Sequence, residues 1–143
     1  MTIPNPDSRE QAEENSLYFI SFERLEEMNR SALVMVAGRR GPSLPSREKP
    51  DHELTDVQAL VDEIAEHYTE DEGFIRTEMP IQEIVFRILL ARRNQPTPLR
   101  DLHYELTERW ATPFRPINIS EQGLKRILDA DTHYGFAQVS PES

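Results

Sequence analysis

The stretch that decides the fold is 81–93, IQEIVFRILLARR. Its Ile81, Ile84, Val85, Phe86, Ile88, Leu89 and Leu90 cover most of a helix circumference and leave only a narrow polar edge. A helix apolar on nearly every side is buried on nearly every side. The pattern therefore predicts a central helix over about 78–93, around which the other ordered segments assemble.

Toward the C-terminus, Asn94-Gln95-Pro96 ends this helix, and Thr97-Pro98 offers an N-cap followed by proline at the first helical position. Leu99, Leu102, Leu106 and Trp110 recur on one face and predict a helix over about 98–110. ATPFRPIN, 111–118, breaks it with two prolines. Ser120 then caps a helix over about 121–131, with Leu124, Ile127 and Leu128 inward. YGFAQV, 134–139, reads as a short strand.

Toward the N-terminus, Thr55 and Gln58 fit a capping box. Val57, Leu60, Val61, Ile64, Ala65 and Tyr68 share one face of the helix it opens, about 55–69. Before it lies a Pro-rich linker, 38–53, beginning GRRGPSLPSREKP. Phe22, Leu25, Met28, Ala32 and Met35 step at helical spacing and predict a helix over about 20–37. The aromatic-rich run Leu17 to Ile20 fits the start of that helix or a short strand. Residues 1–15 have almost no apolar content and are expected to be a disordered tail, with a second tail at 140–143.

Composition narrows the class. Hydrophobic residues make up 37% of 143, so the core has to be concentrated in these few segments. Cysteine is absent, which excludes disulfides, thiolate metal sites and thiol catalysis. No apolar run approaches membrane-spanning length, and the first residues, MTIPNPDSREQAEEN, lack the features of a secretory signal. A cytoplasmic location is the expectation. The net charge of −10 is uneven: residues 1–79 hold eight Arg/Lys against eighteen Asp/Glu, whereas 80–143 hold eight of each.

The order and spacing of elements over 78–139 resemble a helix-turn-helix domain of the winged-helix kind. The resemblance implies that helix 121–131 occupies the position that enters a DNA major groove. It would turn Gln122, Lys125 and Arg126 outward, with Arg115 and Ser120 placed to hold a phosphate. That face also carries Glu121, Asp129 and Asp131 and is close to neutral, which weakens it for a polyanion.

No chemistry-bearing motif emerges. Asp129, Asp131 and His133 begin like a calcium loop, but Tyr134 and Ser140 stand where glycine and a bidentate glutamate are needed. Glu63, Glu66 and His67 decorate an exposed helix face without zinc-protease spacing. Gly38-Arg39-Arg40-Gly41 is not a phosphate-binding loop, and no serine sits in a nucleophile elbow. His103 and Trp110 border the leucine stripe and read as boundary and core residues, and Arg92-Arg93 as cations completing a helix C-terminus.

The expected fold is mainly α, with about five helices: an N-terminal pair over 16–77 packed on a winged-helix-like three-helix head, 78–139, with a short C-terminal strand. The leading expectation for function is a non-enzymatic binding module acting through protein contacts, with no cofactor and no metal. Its partner is a protein, basic by charge complementarity, docking near Phe19, Phe22 and Phe74. A homodimer through helix 20–37 is a further arrangement. The runner-up is a sequence-specific DNA-binding regulator using helix 121–131. An enzyme with an unrecognised site comes third.

Overall fold

The computed structural model describes residues 16–139. The two tails expected at 1–15 and 140–143 lie outside the described residues. Strand β1 (Leu17–Ile20) leads into helices α1 (Phe22–Glu27) and α2 (Ala32–Ala37). Helix α3 (Val57–His67) and the hub helix α4 (Ile81–Ala91) follow, then β2 (Thr97–Pro98), α5 (Leu99–Tyr104), a π-helical turn (Glu105–Trp110), α6 (Glu121–Asp129) and β3 (Phe136–Val139).

The mainly helical fold agrees with the sequence pattern, and α4 is its hub. Ile84, Val85, Phe86, Ile88, Leu89 and Leu90 are all essentially inaccessible to solvent. The helix packs against α3, β1 and the π-helical turn. Burying each of these side chains stabilises the fold by roughly 1.5–3 kcal/mol before conformational entropy is subtracted.

The helix expected over 20–37 is instead a strand and two short helices. Two serine caps and one left-handed residue divide it. The Ser21 hydroxyl accepts from Arg24 N at 3.1 Å, and that of Ser31 from Val34 N at 3.2 Å. Between them Asn29 adopts φ 59°, with Asn29 N donating to the Glu26 carbonyl and Arg30 N to the Leu25 carbonyl, both at 2.9 Å. This pair of bonds is a Schellman stop, which satisfies the last carbonyls of α1. Leu25 and Val36 are fully buried within the chain, and the continuous helix 20–37 expected to mediate a homodimer is absent.

Released from helix, residues 17–20 form the central strand of a three-stranded antiparallel sheet ordered β2-β1-β3. The register pairs Leu17 with Pro98 on one side, and Leu17 with Val139 and Ile20 with Phe136 on the other. Strand alternation buries Tyr18 and Ile20 beneath the sheet and leaves Leu17 and Phe19 half-buried on its outer face.

Local chemistry moves other boundaries. Asp56, not Thr55, caps α3, accepting from Gln58 N at 3.0 Å and Ala59 N at 3.2 Å. Thr97 belongs to β2 and donates to the Gln95 carbonyl at 2.8 Å, so α5 starts at Leu99. The Pro-rich linker is packed against the body: Leu44 is buried, Ser46 donates to Glu63 at 2.7 Å, and Ser43 donates to Asp71 at 2.6 Å.

Candidate protein-docking face

The nucleic-acid candidates do not form one strip. Lys125 is drawn to the sheet, where its Nζ donates to Asp129 Oδ2 at 2.7 Å and lies 3.3 Å from both Tyr18 Oη and Gln138 Oε1. Tyr18 Oη itself donates to Asp129 Oδ1 at 2.7 Å. The lysine is thus a strut joining α6, β1 and β3. Arg126 is exposed on a different side of α6, lining a shallow hollow with Gln82, His133 and Tyr134. Arg115 sits in the preceding loop, 3.4 Å from Glu78. Gln122 is exposed, and the Ser120 hydroxyl is occupied as the α6 cap, accepting from Gly123 N at 2.9 Å.

The aromatic candidates also disperse. Phe74 is only 6% exposed, with its ring beneath the Arg87 guanidinium at 5.3 Å and 5.7 Å from Tyr68. It contributes to the core, with only an edge reaching the hollows beside the 69–74 turn. Phe22 packs against the core, and Phe19 lies half-buried on the outer face of the sheet.

Among the described residues the most exposed aromatic is Phe114, at 94%. Its backbone is closely held. Thr112 N donates to the Arg115 carbonyl at 3.2 Å, and Arg115 N returns a bond to the Thr112 carbonyl at 3.0 Å. The Thr112 hydroxyl accepts from Arg115 N at 3.0 Å. Pro113 and Pro116 fix φ on either side. The phenyl ring therefore stands at the tip of a closed two-residue turn. The signal in the sequence was an aromatic residue between two prolines that belongs to no helical or strand stripe.

Beside this turn runs a groove of about 680 Å³, walled by His103, Thr107 and Ala111 on one side and by Pro113, Pro116 and Ile117 on the other. The π-helical winding of 105–110 shapes the first wall. It brings Trp110 over Glu105, where the indole N–H donates to Oε2 at 3.0 Å, while Arg109 binds both carboxylate oxygens at 3.0 and 3.1 Å. Glu105 is buried, and these charge-assisted bonds satisfy it. His103 fixes the second wall: its Nε2 lies 2.6 Å from the Ile119 carbonyl. Tyr104, 62% exposed, projects from the end of α5.

Elsewhere two carboxylates, Glu83 and Asp131, are held by dense sets of hydrogen-bond donors. Glu83 on α4 accepts from Arg39 at 2.6 and 3.0 Å, from Arg87 at 2.8 Å and from Tyr134 Oη at 3.2 Å. Burial raises its pKa, but the hydrogen bonds from Arg39 and Arg87 outweigh that and lower it to about 2. Asp131 is buried and accepts four backbone N–H groups, from His133, Tyr134, Gly135 and Phe136, at 2.8 to 3.1 Å. Its carboxylate folds the turn into β3. Gly135 completes that turn at φ +79°, where an added Cβ would lie 2.6 Å from Leu25 Cγ. Among the described residues no group of three or more His, Asp or Glu is placed to hold a metal ion, and no helix is long and apolar enough to cross a membrane.

No protein-family model, curated protein or solved structure matches this chain.

Proposed function

We propose that the protein is a non-enzymatic binding module, a winged-helix-like head whose groove face docks another protein in a regulatory or assembly role. The observation that carries this is Phe114. A ring held almost wholly in water by a rigid turn forgoes about 2 kcal/mol of burial that a partner would restore. Because the turn is already ordered, little conformational freedom is lost on docking. Aromatic anchors of this kind carry much of the energy in protein interfaces.

The arrangement of elements supports the winged-helix-like part of the proposal. Strand β2 falls between α4 and α5, and β3 follows α6. β1 lies along β3 where the second strand of a wing hairpin would be expected. The non-enzymatic part is supported by what the polar groups are already doing: His103 is tied to Ile119, and Glu83, Glu105 and Asp131 are saturated with donors. The DNA reading has less support, because Lys125 is engaged by Asp129 and Arg115 faces Glu78.

Affinity capture from native lysate, with wild type and Phe114→Ser compared side by side and read for both protein and nucleic acid, tests the proposal. The expected result is a protein retained by wild type and lost with Phe114→Ser. Retention of nucleic acid by both, with no protein difference, would overturn it.

A further inference from the structure

Phe114 and the groove stand on one face and share a wall, because Pro113 and Pro116, which bracket the ring, also line the cavity. A projection and a recess side by side on one surface meet the requirement of a two-fold interface, in which each copy's projection enters the other's recess. Charge selects the same face. Two molecules of net charge −10 repel, but the excess resides in residues 1–79, while 80–143 carry eight charges of each sign. A second copy approaching through the groove face meets one carboxylate in its lining, Glu108, with Arg115 just beyond it. One approaching α3, with Asp62, Glu63 and Glu66, meets an acidic surface. Glu108 on the groove wall and Arg115 beside Phe114 are both exposed and of opposite sign; Arg115 lies 3.4 Å from Glu78 of its own chain, and reciprocal docking would exchange that exposed pair for Glu108 of the other copy.

We propose that this face binds a second copy of the same chain, with Phe114 of each protomer seated in the groove of its partner between Thr107, Ala111 and Ile117. The proposal rests on the groove face being a protein-docking surface and names the partner. The occupant fits: a groove of about 680 Å³ has room for a phenyl ring. The ring arrives on a turn that needs no rearrangement, and its apolar surface meets proline, alanine and isoleucine within a lining that is otherwise polar.

Sedimentation of the full chain over about 1 to 100 μM reads the monomer–dimer equilibrium directly. The expected result is a dimer dissociating in the micromolar range. Phe114→Asp is expected to raise the dissociation constant at least about tenfold, as loss of a central anchor does. Since Phe114 is 94% exposed, the thermal unfolding midpoint of that variant should match wild type. Arg115→Glu should weaken pairing, and adding Glu108→Arg should restore it. A wild type that stays monomeric to about 100 μM overturns the proposal. So does a Phe114→Asp variant that dimerises as well as wild type. If self-pairing fails in this way, lysate capture separates the two ideas. A protein retained by wild type but not by Phe114→Asp leaves the docking face standing with a different occupant. Retention of none removes both.

Discussion

The side-chain amide of Asn94 pairs with the backbone of Ile20: its Oδ1 accepts from Ile20 N at 2.7 Å, and its Nδ2 donates to the Ile20 carbonyl at 2.9 Å. The amide imitates a strand residue. It completes the edge of β1 beyond the two residues that β2 can pair, and so ties the sheet to the end of the hub helix. The backbone places it there through a second Schellman stop. Arg93 N donates to the Leu90 carbonyl at 3.1 Å and Asn94 N to the Leu89 carbonyl at 2.7 Å, with φ of 59° and 57° at the two residues.

Asn94→Ala should destabilise the protein by about 2–3 kcal/mol, since it removes both bonds and places alanine at positive φ. Asn94→Gly removes the bonds alone and should cost about 1 kcal/mol less. Urea unfolding midpoints of the two variants check the order; equal midpoints would show that the amide pairing contributes nothing.

Helix α4 was legible because Ile84 through Leu90 allow no other packing. Leu60, Val61 and Ile64 of α3 and Leu124 and Leu128 of α6 were equally clear. The segment 20–37 was misleading because Phe22, Leu25, Met28, Ala32 and Met35 keep a helical step across a break. What breaks it is Asn29 at positive φ between two serine caps, a local hydrogen-bond choice that hydrophobic spacing does not encode. The candidate docking face was hidden for a related reason. Phe19, Phe22 and Phe74 look like a cluster by content, and burial separates them. Phe114 sits in a break where periodicity is silent, and two of the three partners of Lys125 come from β1 and β3, 107 and 13 residues away.

Glu83 should make stability pH-dependent at the acid end. Its pKa is lowered from 4.5 to about 2, so the carboxylate form stabilises the fold fully above about pH 4.5 and this contribution fades as pH falls toward 2. The effect should be on the order of 2 kcal/mol, and Glu83→Gln should remove that part of the slope while weakening the protein near neutrality, where Arg39 and Arg87 lose their partner. Unfolding free energy measured from pH 7 to pH 2 in wild type and variant checks it. An unchanged slope in Glu83→Gln would contradict it.

Asp131→Ala should be among the most damaging single changes, by about 3 kcal/mol or more, because it strands four N–H donors at the turn into β3. Thermal melts provide the measure, and a melt within about 2 °C of wild type would contradict the role assigned to this carboxylate.

Lys125→Ala should lower stability by about 1 kcal/mol through loss of the strut between α6 and the sheet. It should leave nucleic-acid behaviour unchanged, since wild type is expected to give no mobility shift on mixed duplex DNA at about 50 mM salt. A clear, salt-sensitive shift that Lys125→Ala abolishes would return α6 to the role of a recognition helix.

The most direct measurement places a photo-crosslinking benzophenone side chain at position 114 and maps by mass spectrometry what it captures in native lysate. Covalent adducts to protein are predicted, falling on apolar residues of a docked surface. An irradiated sample that yields only unmodified chain, or adducts to nucleic acid alone, would contradict the assignment of the Phe114 face as a protein-docking site.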